Sequence, residues 1–125
     1  MGSRKHGHLR FYELTKEEDK LHNIKNWDYA HGGRPLGNFE RVAAILNLYP
    51  GFPYDTPAGV GVIYSLKQFD ATLWSMAKRY KTKVERASRR MMDVSVYSKL
   101  IRIMLEDAEK HALRARRRRR IRRWS

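Results

Sequence analysis

Residues 25–39 read KNWDYAHGGRPLGNF and pack three aromatics, an Asp, three glycines, a Pro, an Arg and two Asn into one short stretch. That composition belongs to a shaped loop rather than a flexible spacer. Gly32 and Gly33 permit positive φ or a close backbone approach. Pro35 fixes its own φ and pushes Arg34 towards an extended conformation. Asn38 is then a good N-cap for a helix over 39–47. A glycine-rich loop running into a helix N-terminus is also a cradle for phosphate. Trp27, Tyr29 and Phe39 are expected to be buried beneath it.

Helical patterns flank this loop on both sides. Upstream, Thr15 with Glu18 three residues on forms a capping-box pattern, so a first helix is expected from Thr15 to about Asn26, with Leu21 and Ile24 as its apolar edge. Residues 1–14 read as a basic arm that Leu9, Phe11, Tyr12 and Leu14 could dock on the body. His6 and His8 lack further ligands nearby and read as solvated, not as a metal site. Downstream, Val42, Ala43, Ile45 and Leu46 form the packing face of the second helix. Residues 49–56 form another rigid loop. Thr56 followed by Pro57 starts a third helix running to about Tyr80, with Ile63, Leu66, Phe69, Leu73, Met76, Ala77 and Tyr80 at three- and four-residue steps. A last helix is expected to begin between Val84 and Ser88, carrying the stripe Met92, Val96, Tyr97, Leu100, Ile101, Met104, Leu105 and Ala108. No Gly or Pro follows, so this helix can continue into the arginines as a projecting rod. Like charges should fray that rod in isolation, and an anionic partner should order it.

The expectation is an all-α fold: a small bundle of about four helices with a long C-terminal helix ending in an Arg-rich tail. The divisions are a basic arm over 1–14, a bundle over 15–110 and a tail over 111–125. No strand pattern and no internal repeat are visible.

Charge narrows the partner. The 125 residues include 27 Lys and Arg against 13 Asp and Glu, a net charge of +14. Such a field attracts polyanions, nucleic acid first. Eight of the arginines fall between residues 114 and 123. With no cysteine, disulfides and thiolate metal sites are excluded. No apolar run reaches the length of a membrane span, and the N-terminus lacks a secretory h-region. The chain reads as soluble, in the host cytoplasm or a virion, with no membrane partner and a possible homodimer or larger assembly.

Two constellations carry chemistry. Arg114, Arg116, Arg117, Arg118, Arg119, Arg120, Arg122 and Arg123 can bind phosphates in bidentate fashion. Lys78, Arg79, Lys81, Lys83, Arg86, Arg89 and Arg90 form a second basic cluster at the turn before the last helix. Both are candidate contacts to DNA or RNA backbone. The other constellation is Asp70 and Asp93, each in step with the apolar stripe of its helix. They either hold a divalent cation or make structural ion pairs, with Lys67, Arg89 or Arg90 as partners. Glu106 and Glu109 are expected to balance the arginine run.

Lys25, Asn26, Asp28, Tyr29, Pro35, Asn38 and Phe39, then Lys67 and Asp70, then Asp93 and Tyr97, resemble the motifs of small phage-encoded helical proteins described as MazG-like or nucleotide-modification-associated. The resemblance covers residues 21–106. It implies an all-α bundle and a pocket for a nucleotide or its phosphates, lined here by Asp28, Arg34, Asn38 and Lys67, with Mg²⁺ at Asp70 and Asp93. One departure bears on catalysis. The family usually carries another acid one turn before Asp93, where this chain has Arg89 and Arg90. The E-x-x-E and E-x-x-D pairs of active MazG-type pyrophosphohydrolases are not reproduced either. The reading is therefore a non-enzymatic nucleic-acid-binding protein without a cofactor. The alternative is a metal-dependent nucleotide pyrophosphohydrolase or a nucleotide-modification accessory.

Overall fold

The computed structural model describes residues 6–124. They form four helices, α1 (Leu9–Tyr29), α2 (Gly37–Asn47), α3 (Pro57–Lys78) and α4 (Ala87–Trp124), and no strand is found among them. The all-α bundle with a long last helix is the expected fold.

The boundaries follow local chemistry, and three differ from expectation. First, α1 begins at Leu9, because the His8 imidazole accepts the Arg10 N–H and caps it. Thr15 instead sits inside the helix, its hydroxyl donating to the Phe11 carbonyl. Residues 9–14 are thus helix rather than arm, and Leu9 does not dock: it is 77% exposed. The first five residues of the expected arm lie outside the described residues. Second, α1 continues through Tyr29, so the first third of KNWDYAHGGRPLGNF is helix. His31 and Gly32, both at positive φ, make the turn. Third, Leu36 takes the N-cap position of α2. Asn38 lies inside the helix, and its amide is spent elsewhere. Further along, Thr56 caps α3 by accepting the Gly59 N–H, with Pro57 at its start, as its sequence indicates. A left-handed Arg79 ends α3.

Helices α3 and α4 form an antiparallel pair. Tyr64 meets Tyr97 edge to face, and Gly61 lets α4 approach until a Cβ there would lie 2.8 Å from Ile101. Met104 also borders Gly61. Since α3 starts only one turn before Gly61, α4 outruns it and projects beyond the bundle as a rod. Helices α1 and α2 lie against the rest of α3.

The core is small and polar. Buried apolar residues are Ala30, Val42, Leu46, Ala71 and Val94, while the largest fully buried side chains are Arg90 and Asp28. The Asp28 carboxylate accepts the backbone N–H groups of Lys83 at 2.6 Å, Val84 at 2.9 Å and Glu85 at 3.0 Å. Arg90 lies 3.5 Å from Asp28 and 3.4 Å from Glu85, and donates to Gln68 at 2.7 Å and to the Tyr29 hydroxyl at 3.2 Å. One carboxylate from the end of α1 therefore fixes the whole α3–α4 connection. Around it, Trp27 donates to the Lys81 carbonyl and Trp74 to the Ala30 carbonyl, and the His31 ring stacks on Tyr80. Trp27 and Tyr29 are partly buried as expected, but Phe39 is 73% exposed.

Candidate nucleic-acid interface

Beyond the first turn of α3, α4 packs on no other described helix. At 100° per residue, the unbroken block Arg116 to Arg120 passes once round the axis, so positive charge faces every side. Arg114 and the seven arginines after it are all exposed, and Trp124 stands clear at the end. Glu106 is paired with Arg102 at 2.9 Å, one turn back, rather than with the arginine run.

The second basic cluster lies at the opposite end of α4. Lys78 stands over Trp74 and Lys83 over Trp27, at 4.9 and 4.0 Å from the ring centres. Lys78, Arg79, Lys81, Lys83, Arg86 and Arg89 are exposed. Arg90 is not part of this surface: it is 1% exposed, and its guanidinium serves the core. Along one chain, the cluster and the arginine run are separated by about 40 Å of helix and do not form one patch.

Asp70 and Asp93 have separate partners. Asp70 is bound by Arg41 through two bonds of 2.7 and 2.8 Å and by the Asn38 amide at 2.8 Å. This hydrogen bond raises the Arg41 guanidinium above its usual value, against the opposing effect of burial. The expected partners Lys67, Arg89 and Arg90 do not bond Asp70. Asp93 receives a long hydrogen bond from Gln68, at 3.4 Å. A cation at Asp70 would have to displace Arg41. Arg41 carries no motif signal; its only hint is its place one turn after Asn38, on the same face of α2.

Of the four residues expected to meet a nucleotide, the structure brings only Asn38 and Lys67 together. Asp28 is in the core, Asn38 is committed to Asp70, and Arg34 pairs with Glu40 at the surface. Lys67 and Asn38 nevertheless share an open cleft of about 240 Å³, with His22, Lys25, Asn26, Tyr29 and Phe39. Its ammonium lies 5.4 Å from the Tyr29 ring centre. His22 was not expected there, because helical phasing alone does not show which α1 residues border the α2 loop.

Compared with models of known families, with curated proteins and with solved structures, the chain matches none. No described helix is long and apolar enough to cross a membrane.

Proposed function

We propose that this chain is a non-enzymatic nucleic-acid-binding protein that holds phosphate backbone through the arginine segment of α4, on a scaffold like that of the phage-encoded MazG-like proteins. A virion or nucleoprotein particle would be its setting. The observation that supports this best is the rod itself: eight arginines, exposed on all sides, on a helix that has left its bundle. A helix fits the major groove of a duplex, where phosphates line both walls and charge on every side is useful. Contacts of this kind position the protein without reading sequence.

The test is a salt titration of duplex binding by fluorescence anisotropy. Neutralising roughly 5–8 phosphates gives log K a slope of about −4 to −7 against log salt. Truncation after Leu113 should flatten that slope and weaken binding at low salt. Affinity that is indifferent to salt, or that survives the truncation, defeats the reading.

A second reading follows from the cleft beside Tyr29 and Phe39, where Lys25 and Lys67 supply cationic groups and His22 an imidazole next to two aromatic rings. It is the nucleotide-handling alternative, in which Asp70, once released by Arg41, and Asp93 would hold Mg²⁺. Pyrophosphate release from a panel of nucleoside triphosphates with Mg²⁺, abolished by Asp93→Ala, would establish it. Absence of turnover across the panel would remove it.

A further inference from the structure

Helix α4 carries two apolar stripes, about 125° apart round its axis. Val94, Tyr97, Ile101 and Met104 face α3. Met92, Val96, Leu100 and Ile103 recur at steps of four, four and three residues along the second stripe, each about half exposed, with Leu100 at its edge also bordering the α3–α4 groove. That spacing keeps the four on one stripe of a straight helix, which is available for a partner to cover. The exposed area agrees. A compact monomer of this mass exposes about 7,000 Å², whereas this chain exposes 10786 Å². The arginine rod accounts for part of the excess. The exposed, largely polar first half of α1 and the apolar stripe of α4 contribute to the rest, and a standard interface covers roughly 800 Å² per partner.

We infer that the α4 seam pairs with the same seam of a second copy, in antiparallel orientation. Charge at its two ends sets the direction. Continuing the seam one turn each way reaches Arg89 at one end and Asp107 at the other. An antiparallel register that lays Val96 on Leu100 places Arg89 against Asp107 of the second copy, twice over by symmetry, and Met92 beside Ile103. A parallel pair would instead set Arg89 on Arg89, Asp107 on Asp107 and one arginine run along the other. In the antiparallel pair each arginine run passes the Lys78 to Arg86 cluster of the other copy. The two basic surfaces that lie about 40 Å apart on one chain are thereby joined at each end of the dimer. Repulsion there is screened by salt and relieved by a polyanion.

The test uses the full chain after nuclease treatment, in high salt, so that it does not depend on the proposed nucleic-acid function. Sedimentation equilibrium should give twice the chain mass. Val96→Glu with Ile103→Glu should give the chain mass with unchanged helical circular dichroism, since both side chains are already at the surface. The chain has no cysteine, which permits a clean orientation test. Under mild oxidation Val96→Cys should cross-link into dimers, because it sits near the symmetry centre. Lys110→Cys, on the same side, should not: antiparallel pairing holds the two copies of that position roughly 36 Å apart along the axis. A wild-type monomer, a double variant that remains dimeric, or efficient cross-linking at residue 110 would each overturn the inference.

Discussion

At the scale of residues, stability rests on a carboxylate and a guanidinium. Asp28 and Arg90 are both taken out of water, and the cost is met by three backbone N–H groups, Gln68, the Tyr29 hydroxyl and Glu85. Removing one partner leaves the other charged and buried, which typically costs about 3–5 kcal/mol. Asp28→Ala should lose that much in urea unfolding, while Arg34→Ala, which breaks only the exposed pair with Glu40, should lose less than about 1 kcal/mol. Comparable losses from the two variants would show that Asp28 is not the keystone. Tyr80 supplies a pH handle on the same knot. Its hydroxyl donates to the Asp28 backbone carbonyl, and burial, then the Asp28 charge, push its pKa up. A raised folded pKa means that its contribution is fully present below the unfolded value of about 10 and is lost as pH rises through the folded one. Thermal stability should therefore fall on the alkaline side, and Tyr80→Phe should make that fall shallower. None of this was legible beforehand. In sequence Asp28 reads as a nucleotide contact and Arg90 as a phosphate contact or an ion-pair partner of Asp70 or Asp93, because a polar residue in a motif looks the same whether it faces a ligand or the core. Only the fold brings the end of α1 to the turn before α4.

At the scale of elements, the sequence was most readable where a local rule sufficed. Thr56 and Pro57 start α3 because one oxygen and one fixed φ act within a single turn. Thr56→Ala should cost about 1 kcal/mol in thermal or urea unfolding. Gly59→Ala should cost more, since an added Cβ would come within 1.9 Å of the Pro53 carbonyl oxygen; equal costs would argue that the loop simply yields. The start of α1 was misplaced because a capping box at Thr15 competes with a His8 cap that few sequence rules favour. The apolar stripes read as core throughout, yet Leu73, Met76, Met92 and Val96 are exposed. Periodicity reports that a face wants to be covered, not which chain covers it. For α4 the structure carries the helix through Trp124, across the whole arginine run. Repulsion within the run should still make its end the least stable part of the helix. Far-UV ellipticity should therefore rise when duplex DNA is added to the full chain and remain unchanged for the chain truncated after Leu113. An increase in both would place the ordering elsewhere than in the rod.

At the scale of the molecule, charge and apolar surface have to be satisfied together. A monomer would carry its arginine run at one end, its second basic cluster at the other and an uncovered apolar seam between them. Antiparallel pairing covers the seam and creates two equivalent basic ends. The arginine runs then lie about 60 Å apart along the axis, on opposite sides of the symmetry centre. That distance exceeds the Debye length several-fold at physiological salt, so each end binds its phosphates without sensing the other. A dimer of this shape should bridge two duplexes, whereas a single rod can only coat one. Mixing donor-labelled and acceptor-labelled duplexes with the wild-type chain should produce energy transfer or light scattering near charge neutrality, and less at high salt. Val96→Glu with Ile103→Glu should abolish bridging while keeping salt-dependent binding to a single duplex, because its arginines are untouched. If the double variant is monomeric yet bridges as well as the wild type, the rods act alone and the paired architecture has no part in gathering nucleic acid. If the wild type is dimeric and binds duplex but never bridges, both basic ends must close on the same duplex.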